Sequence, residues 1–348
     1  MKKIIVLSFV ALCVAATSFA DNWKEREPHT LRDDNLKGNV LAVKCCTYGY
    51  RLKFGEPTLG RMFEIESTAY DEKGRSILYR YVLNYDGYLY PYSFYFEYED
   101  GENVKVTRPA LSACHPNQHF EKYEQSILSQ GALFEHNMMT LLGSNDRTTW
   151  HKEPSAEFIY DKNRVMTSYT IFDGSEIEQK MKGTPTGTGG EYNFAIYYRD
   201  GSKGAECQRT YRDGLLVKEV HKFIRSTKKI KFGEEGTFTY DQNGHLILKL
   251  VHDQGEKEVK YELNSQGDRL KTFSRKKYMG KWQNWVEQGH YDNYEYDDHG
   301  NWIVRAYWKN SEEPSYLEKR EIIYCESTDE LKEKASALQS AVHGFFKI

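Results

Sequence analysis

Over most of this chain apolar and polar residues change places at every step. Tyr92, Phe94, Phe96 and Tyr98 share one face of an extended segment, opposite Ser93, Tyr95 and Glu97. In the segment before it Tyr79, Tyr81, Leu83 and Tyr85 share a face. A period of two marks half-buried antiparallel strands. The pattern predicts strands over 40–50, 62–69, 77–85 and 88–98, and again from about Phe158 to Cys325.

The strands are punctuated by one recurring turn. Tyr70-Asp71-Glu72-Lys73-Gly74, Tyr240-Asp241-Gln242-Asn243-Gly244 and Tyr296-Asp297-Asp298-His299-Gly300 have the full form. Shorter forms begin at Tyr85, Tyr98, Tyr198 and Tyr211. Asp bonds its own backbone in turns and Gly accepts positive φ, while the aromatic and β-branched flanks suit strands. The prediction is a mainly β protein, an array of antiparallel hairpins in a meander.

Two stretches break the period. Between 115 and 143, Phe120, Tyr123, Ile127 and Leu128 recur at helical spacing, as do Leu133, Phe134, Met138, Leu141 and Leu142. With Pro116 in a first turn and Gly131 and Gly143 as breaks, they predict a helical insertion. From Glu326 a helix is expected, with a capping box of Ser327 and Glu330. Its apolar stripe of Leu331, Ala335, Leu338, Val342, Phe345 and Phe346 shields the array. The segment Gly183–Gly190 reads as a flexible loop, with no Lys-Ser or Lys-Thr to make it a phosphate cradle. The expected organisation is 1–20 signal peptide, 21–114 hairpins, 115–150 helical insertion, 151–325 hairpins and 326–348 helix.

The first residues carry an address. Lys2 and Lys3, the apolar run Ile4–Ala16 and the small-x-small Ser18-Phe19-Ala20 fit a secretory signal cleaved near Ala20. The rival is a lipoprotein signal at Cys13, where Leu12 is bulky for that site. The location expected is the periplasm or the outside. Asp21–Asp34 has little apolar content and reads as loosely ordered. The net charge of -3 leaves no basic footprint, so nucleic acid is not the expected partner. Cys45, Cys46, Cys114, Cys207 and Cys325 do not space as a disulfide framework. Cys45 and Cys46 are neighbours in a strand and point to opposite faces.

Leu36-Lys37-Gly38-Asn39-Val40, Lys53-Phe54-Gly55-Glu56, Tyr70–Arg75, Tyr294–Trp302 and Glu318–Tyr324 together resemble the secreted YD-repeat (Rhs-like) proteins of Bacteroides-type bacteria. The resemblance covers both ends and much of the second half, and is weak from about Arg108 to Trp150. It implies hairpin architecture and names no reaction. The irregular spacing of the turns favours a loose meander over a wound shell.

Candidate chemistry is sparse. Cys114, His115 and His119 are the best metal set, but Pro116 interrupts them and polar residues at a helix start explain them. Glu287, His290 and Asp292 could form an acid–base group, though they read as exposed loop polars. No nucleophile elbow, metalloprotease helix or dinucleotide fingerprint occurs, so neither catalytic residue nor cofactor is assigned. The aromatic load is the stronger clue. Trp282, Trp285, Trp302 and Trp308 crowd one region, and exposed rings bind sugars or proteins. Trp302 follows a turn and is expected near a hairpin tip. The sequence thus points to an exported, non-catalytic binding or scaffold protein whose aromatic surface contacts a glycan or an envelope protein. The alternative is a secreted polysaccharide hydrolase with carboxylates assembled from separate hairpins.

Overall fold

The structure is a computed structural model. It describes residues 28–53, 56–85, 88–99, 103–109, 152–160, 166–173, 176–185, 190–198, 200–212, 215–224, 236–252, 256–309 and 314–345. The expected signal peptide, the Cys13 site and the helical insertion lie outside these residues, as do Cys114, His115 and His119.

The fold is mainly β, with strands that follow the chain in an antiparallel meander and one C-terminal helix. The described residues divide between two compact units. One contains Ala156–Lys260 and Arg275–Asn284. It holds the meander of β6 (Lys152–Tyr160), β7 (Met166–Asp173), β8 (Glu176–Pro185), β9 (Glu191–Tyr198), β10 (Lys203–Arg212), β11 (Leu215–Phe223), β12 (Gly236–Tyr240), β13 (Leu246–His252) and β14 (Glu256–Leu263). Strand β8 continues through Pro185, which pairs with Tyr192, so Gly183–Pro185, expected as loop, are strand.

The other unit contains Pro28–Ser155, Tyr261–Ser274 and Trp285–Ile348. Its strands are β1 (Val40–Lys53), β2 (Glu56–Tyr70), β3 (Ser76–Tyr85), β4 (Tyr88–Glu99), β5 (Asn103–Pro109), β17 (Val286–Tyr296), β18 (Trp302–Trp308) and β19 (Tyr316–Tyr324). Strand β15 (Arg269–Tyr278) pairs with β17 through Lys271–Ser274, and β16 (Lys281–Trp282) closes a tight hairpin on β15. Strand β1 lies between β2 and β19.

The recurring turn has a fixed geometry. Asp71 Oδ1 accepts from the backbone N–H groups of Lys73 and Arg75. Asp241 accepts from Asn243 and His245, and Asp297 from His299 and Asn301. The glycines that follow have φ of +71, +88 and +75 at Gly74, Gly244 and Gly300. The tyrosine before each aspartate sits at a register shift, at Tyr70, Tyr240 and Tyr296. An extra residue there strengthens the local twist. A fourth turn of the same design, Asn264–Asp268 with Gly267 at φ +88, has leucine in place of the tyrosine.

One face of β1–β4 packs under the helix α1 (Thr328–Phe345). Ala42, Ala69, Leu78 and Tyr95 meet Ala335 and Leu338 there. Ser327 Oγ accepts from Glu330 N, and Glu330 reaches back to Glu326 N, so the cap forms one residue wider than the expected box. In β4, Phe94, Tyr95 and Phe96 are all buried, so both faces are packed rather than one.

Residues 28–34, expected to be loosely ordered, belong with 35–39 to a packed segment. Leu31 and Leu36 pack on Val40, Val43, Tyr70, Ile322 and Tyr324. Asn35 Nδ2 donates to Gln266 O and Asp268 Oδ1. Lys37 N donates to Asn301 Oδ1, whose Nδ2 returns a bond to Lys37 O. Leu31 N donates to Gly74 O. Three turns from distant parts of the chain are thereby clasped by one strap.

Candidate functional site

The face of β18, β19, β1, β2 and β3 opposite the helix is not an apolar core. Cys45 pairs with Arg320 on one side and Glu66 on the other. Thr47 pairs with Glu318 and Glu64 in the same way. Arg305 lies across from Glu318, and Tyr81 across from Glu66. Since alternate residues share a face, this register sets basic, acidic and hydroxyl groups in two rows across neighbouring strands. Beyond them Tyr307 and Tyr316 stack at 4.6 Å, and Tyr291 tilts against Tyr307 at 5.0 Å. Phe63 meets Tyr316 edge-on. At the other end the strap supplies His29, 3.6 Å from Asp34, which also accepts from the Tyr70 hydroxyl.

The charges are unevenly matched. Arg305 donates to Glu318 through Nε and Nη2, at 2.6 and 2.5 Å. Arg320 stacks on Trp302, while its buried Nε and Nη1 have no hydrogen-bond partner. Burial, with the nearby charges of Glu66 and Glu318, pushes Glu64 up to about 7. Burial likewise raises Glu66 and the Cys45 thiol, so Cys45 stays protonated and is a poor nucleophile. The arrangement can accept and donate many hydrogen bonds to a polar ligand and stack flat tyrosines on it.

Of the four tryptophans, Trp302 is buried and Trp282, Trp285 and Trp308 are half-buried. Trp302 is 2 % exposed and carries the guanidinium groups of Arg305 and Arg320 at 3.9 and 3.8 Å from its ring centre. It starts strand β18 instead of standing on a tip, so its neighbours on β19 and β18 cover it. Trp308 is half-buried and stacks on His290. Trp282 is half-buried on β16 beneath Arg275 and Lys277, and Trp285 is half-buried just before β17. Glu287, His290 and Asp292 lie in strand β17, not in a loop. His290 Nδ1 contacts Glu287 at 2.8 Å, while Asp292 is exposed.

In the unit with β6–β14 a second polar cluster is buried: Cys207 and Arg209 on β10 with Glu219 and His221 on β11. Sequence reasoning missed it, although the Tyr211–Gly214 motif marks the two arms, β10 and β11, whose pairing brings these residues together. Among the described residues, Cys45, Cys46, Cys207 and Cys325 form no disulfide with one another.

No protein-family model matches this chain, and no curated protein is detectably similar to it. The YD-repeat resemblance therefore rests on the quoted sequence segments alone. Among solved structures, the chain is similar to a porin-like protein from Bacteroides uniformis ATCC 8492 at 9% identity, with a TM-score of 0.38, over 82% of this chain and 99% of that one. A porin-like protein from Bacteroides vulgatus ATCC 8482 aligns at 11% identity and a TM-score of 0.32, over 83% of this chain and 99% of the other. No helix among the described residues is long and apolar enough to cross a membrane.

Proposed function

We propose that this is an exported, non-catalytic binding protein of the cell envelope, and that the face shared by β17–β19 and β1–β3 holds a polar, hydroxyl-rich ligand such as a glycan. The carrying observation is that face itself. Half-buried tyrosines Tyr307 and Tyr316 stand beside the Arg305–Glu318 pair and the incompletely bonded Arg320. A stability core has little use for such groups, because burying polar atoms without partners costs free energy. Stacking rings next to fixed donors and acceptors suit sugars. Export is supported by Lys2, Lys3, the apolar run to Ala16 and Ser18-Phe19-Ala20.

The test is a glycan array and calorimetric titration with the mature protein, repeated with Tyr307→Ala. Saturable binding lost in that variant, with an unchanged circular dichroism spectrum, supports the reading. Binding that survives Tyr307→Ala, or no ligand across a broad array, overturns it. Mass spectrometry of the exported chain reports whether the mature N-terminus follows Ala20.

A hydrolase is the second reading, favoured by one observation. Glu64, raised to about 7, is an acid that keeps its proton near neutrality, beside the further carboxyls of Glu66 and Glu318. Release of reducing ends from a bound polysaccharide, abolished in Glu64→Gln, would select this reading over simple binding.

A further inference from the structure

The hairpin register pairs Cys207 with His221 and Arg209 with Glu219. On that face one ligating atom from each of Cys207, Glu219 and His221 lies within 4.8 Å of the other two. The three residues are 2, 1 and 5 % exposed. Cys207 Sγ is 3.5 Å from His221 Nε2, and Glu219 Oε1 meets the same nitrogen. His221 Nδ1 is buried with no hydrogen-bond partner.

An imidazole nitrogen carries one proton or one in-plane lone pair, so it serves one good hydrogen bond. Here two polar atoms address Nε2 and none satisfies Nδ1. A catalytic relay is arranged differently: the nucleophile meets one ring nitrogen and the orienting acid meets the other. The observed geometry is therefore not a thiol–imidazole–carboxylate relay. Sulfur, nitrogen and oxygen donors that turn toward one point are the arrangement of a metal ligand set.

We propose that Cys207, Glu219 and His221 bind one divalent transition-metal ion of the zinc class. The donor types select the metal. Calcium and magnesium prefer all-oxygen sets, whereas a thiolate with an imidazole and a carboxylate suits zinc. Three protein ligands leave a fourth tetrahedral position for water or a ligand group. Arg209 Nε lies 3.5 Å from Glu219 Oε2, the oxygen that does not face His221, so it orients the carboxylate from outside. Phe238 meets the His221 ring edge-on at 5.7 Å and limits its rotation. Gly236, the partner of His221 on β12, has no room for a side chain, because a Cβ there would lie 1.9 Å from Leu250 O. Binding exchanges the thiol proton for the ion. The thiolate and carboxylate balance its two charges, and one proton is released to solvent.

The experiment uses the purified chain, stripped with a chelator and titrated with Zn2+ and separately with Co2+. One equivalent of Zn2+ and a thiolate-to-cobalt charge-transfer band are expected. Affinity should fall more than about tenfold in Cys207→Ser and His221→Ala, and His221→Cys should restore it. X-ray absorption of the zinc-loaded wild-type chain should give a first shell with one sulfur among nitrogen and oxygen donors; this readout needs no variant to fold. Failure to bind either ion, undiminished binding in both variants, or a shell with no sulfur or several overturns the proposal.

Discussion

Replacing Trp302 with alanine should destabilise the protein more than most single changes can. The ring is 2 % exposed, and truncating a core aromatic to alanine costs roughly 3–5 kcal/mol. Two guanidinium groups lie against the ring, at 3.9 and 3.8 Å from its centre. Each such contact adds about 0.5–2 kcal/mol. The two are not equivalent. Arg305 keeps its bonds to Glu318, whereas Arg320 Nε and Nη1 have no other hydrogen-bond partner and lose their stacking surface. The expected loss is therefore about 4–9 kcal/mol, a large part of the 5–15 kcal/mol that typically holds a fold together. Urea titration followed by far-ultraviolet circular dichroism at 25 °C measures it. Trp302→Phe keeps a ring under the guanidinium groups and should cost about 1–2 kcal/mol. Met279→Ala, at a side chain 85 % exposed, should stay within about 0.5 kcal/mol. If Trp302→Ala also stays within that margin, the ring is not a packing residue and the argument fails.

Three further outcomes are expected. Asn301 is 1 % exposed and joins Lys37 to Tyr324, so Asn301→Ala should cost roughly 2–4 kcal/mol and speed amide exchange across 29–38, read by mass spectrometry. Gly300→Ala has space for its methyl group, 3.6 Å from Lys37 Nζ, but must hold φ near +75; calorimetry should register only the backbone cost of about 1–2 kcal/mol. Glu64, raised by burial and by Glu66 and Glu318 to about 7 from 4.5, favours its neutral form in the folded state. Its contribution is whole below about pH 4.5 and is lost as pH rises through 7. Glu64→Gln should thus match wild type near pH 4 and exceed it at pH 8 by on the order of 1–3 kcal/mol; urea midpoints that move in parallel at both pH values would sink this.

The hairpins were legible because Asp71, Asp241 and Asp297 carry their turn geometry locally, in a side-chain oxygen and a following glycine. The turn at Asn264 escaped because Leu263 replaces the tyrosine, yet the geometry depends on Asn264 and Gly267 alone. The packing of 28–34 into the strap was not readable from composition. The strap is held by bonds such as Asn35 to Asp268 and Lys37 to Asn301, which join residues far apart in sequence. Trp302 looked like a tip residue because it follows Gly300, but Arg320 covers it from another strand. Nothing in the sequence singles out Glu64, Glu66, Arg305, Glu318 and Arg320; only the pairing of β18, β19, β1 and β2 shows that they face one another. Cys207 and His221 would have been found by counting outward along both arms from the Tyr211–Gly214 turn. Period-two patterning tells which residues share a face of one strand and is silent on what the next strand brings to it.

Strand β1 takes its second neighbour from β19, with Val40 opposite Tyr324. The early strand must therefore wait for the late one, its outer edge open until Tyr316–Tyr324 is in place. Pairings between distant segments carry a large loop-closure cost before they return any stability, which makes for slow folding. An unpaired edge in that interval is a template for association with other chains. The strap deepens this dependence, because its anchors at Asp268 and Asn301 also arrive late. A chain shortened before Tyr316 would lose the partner of its first strand, so damage near the end of the sequence is felt at its beginning.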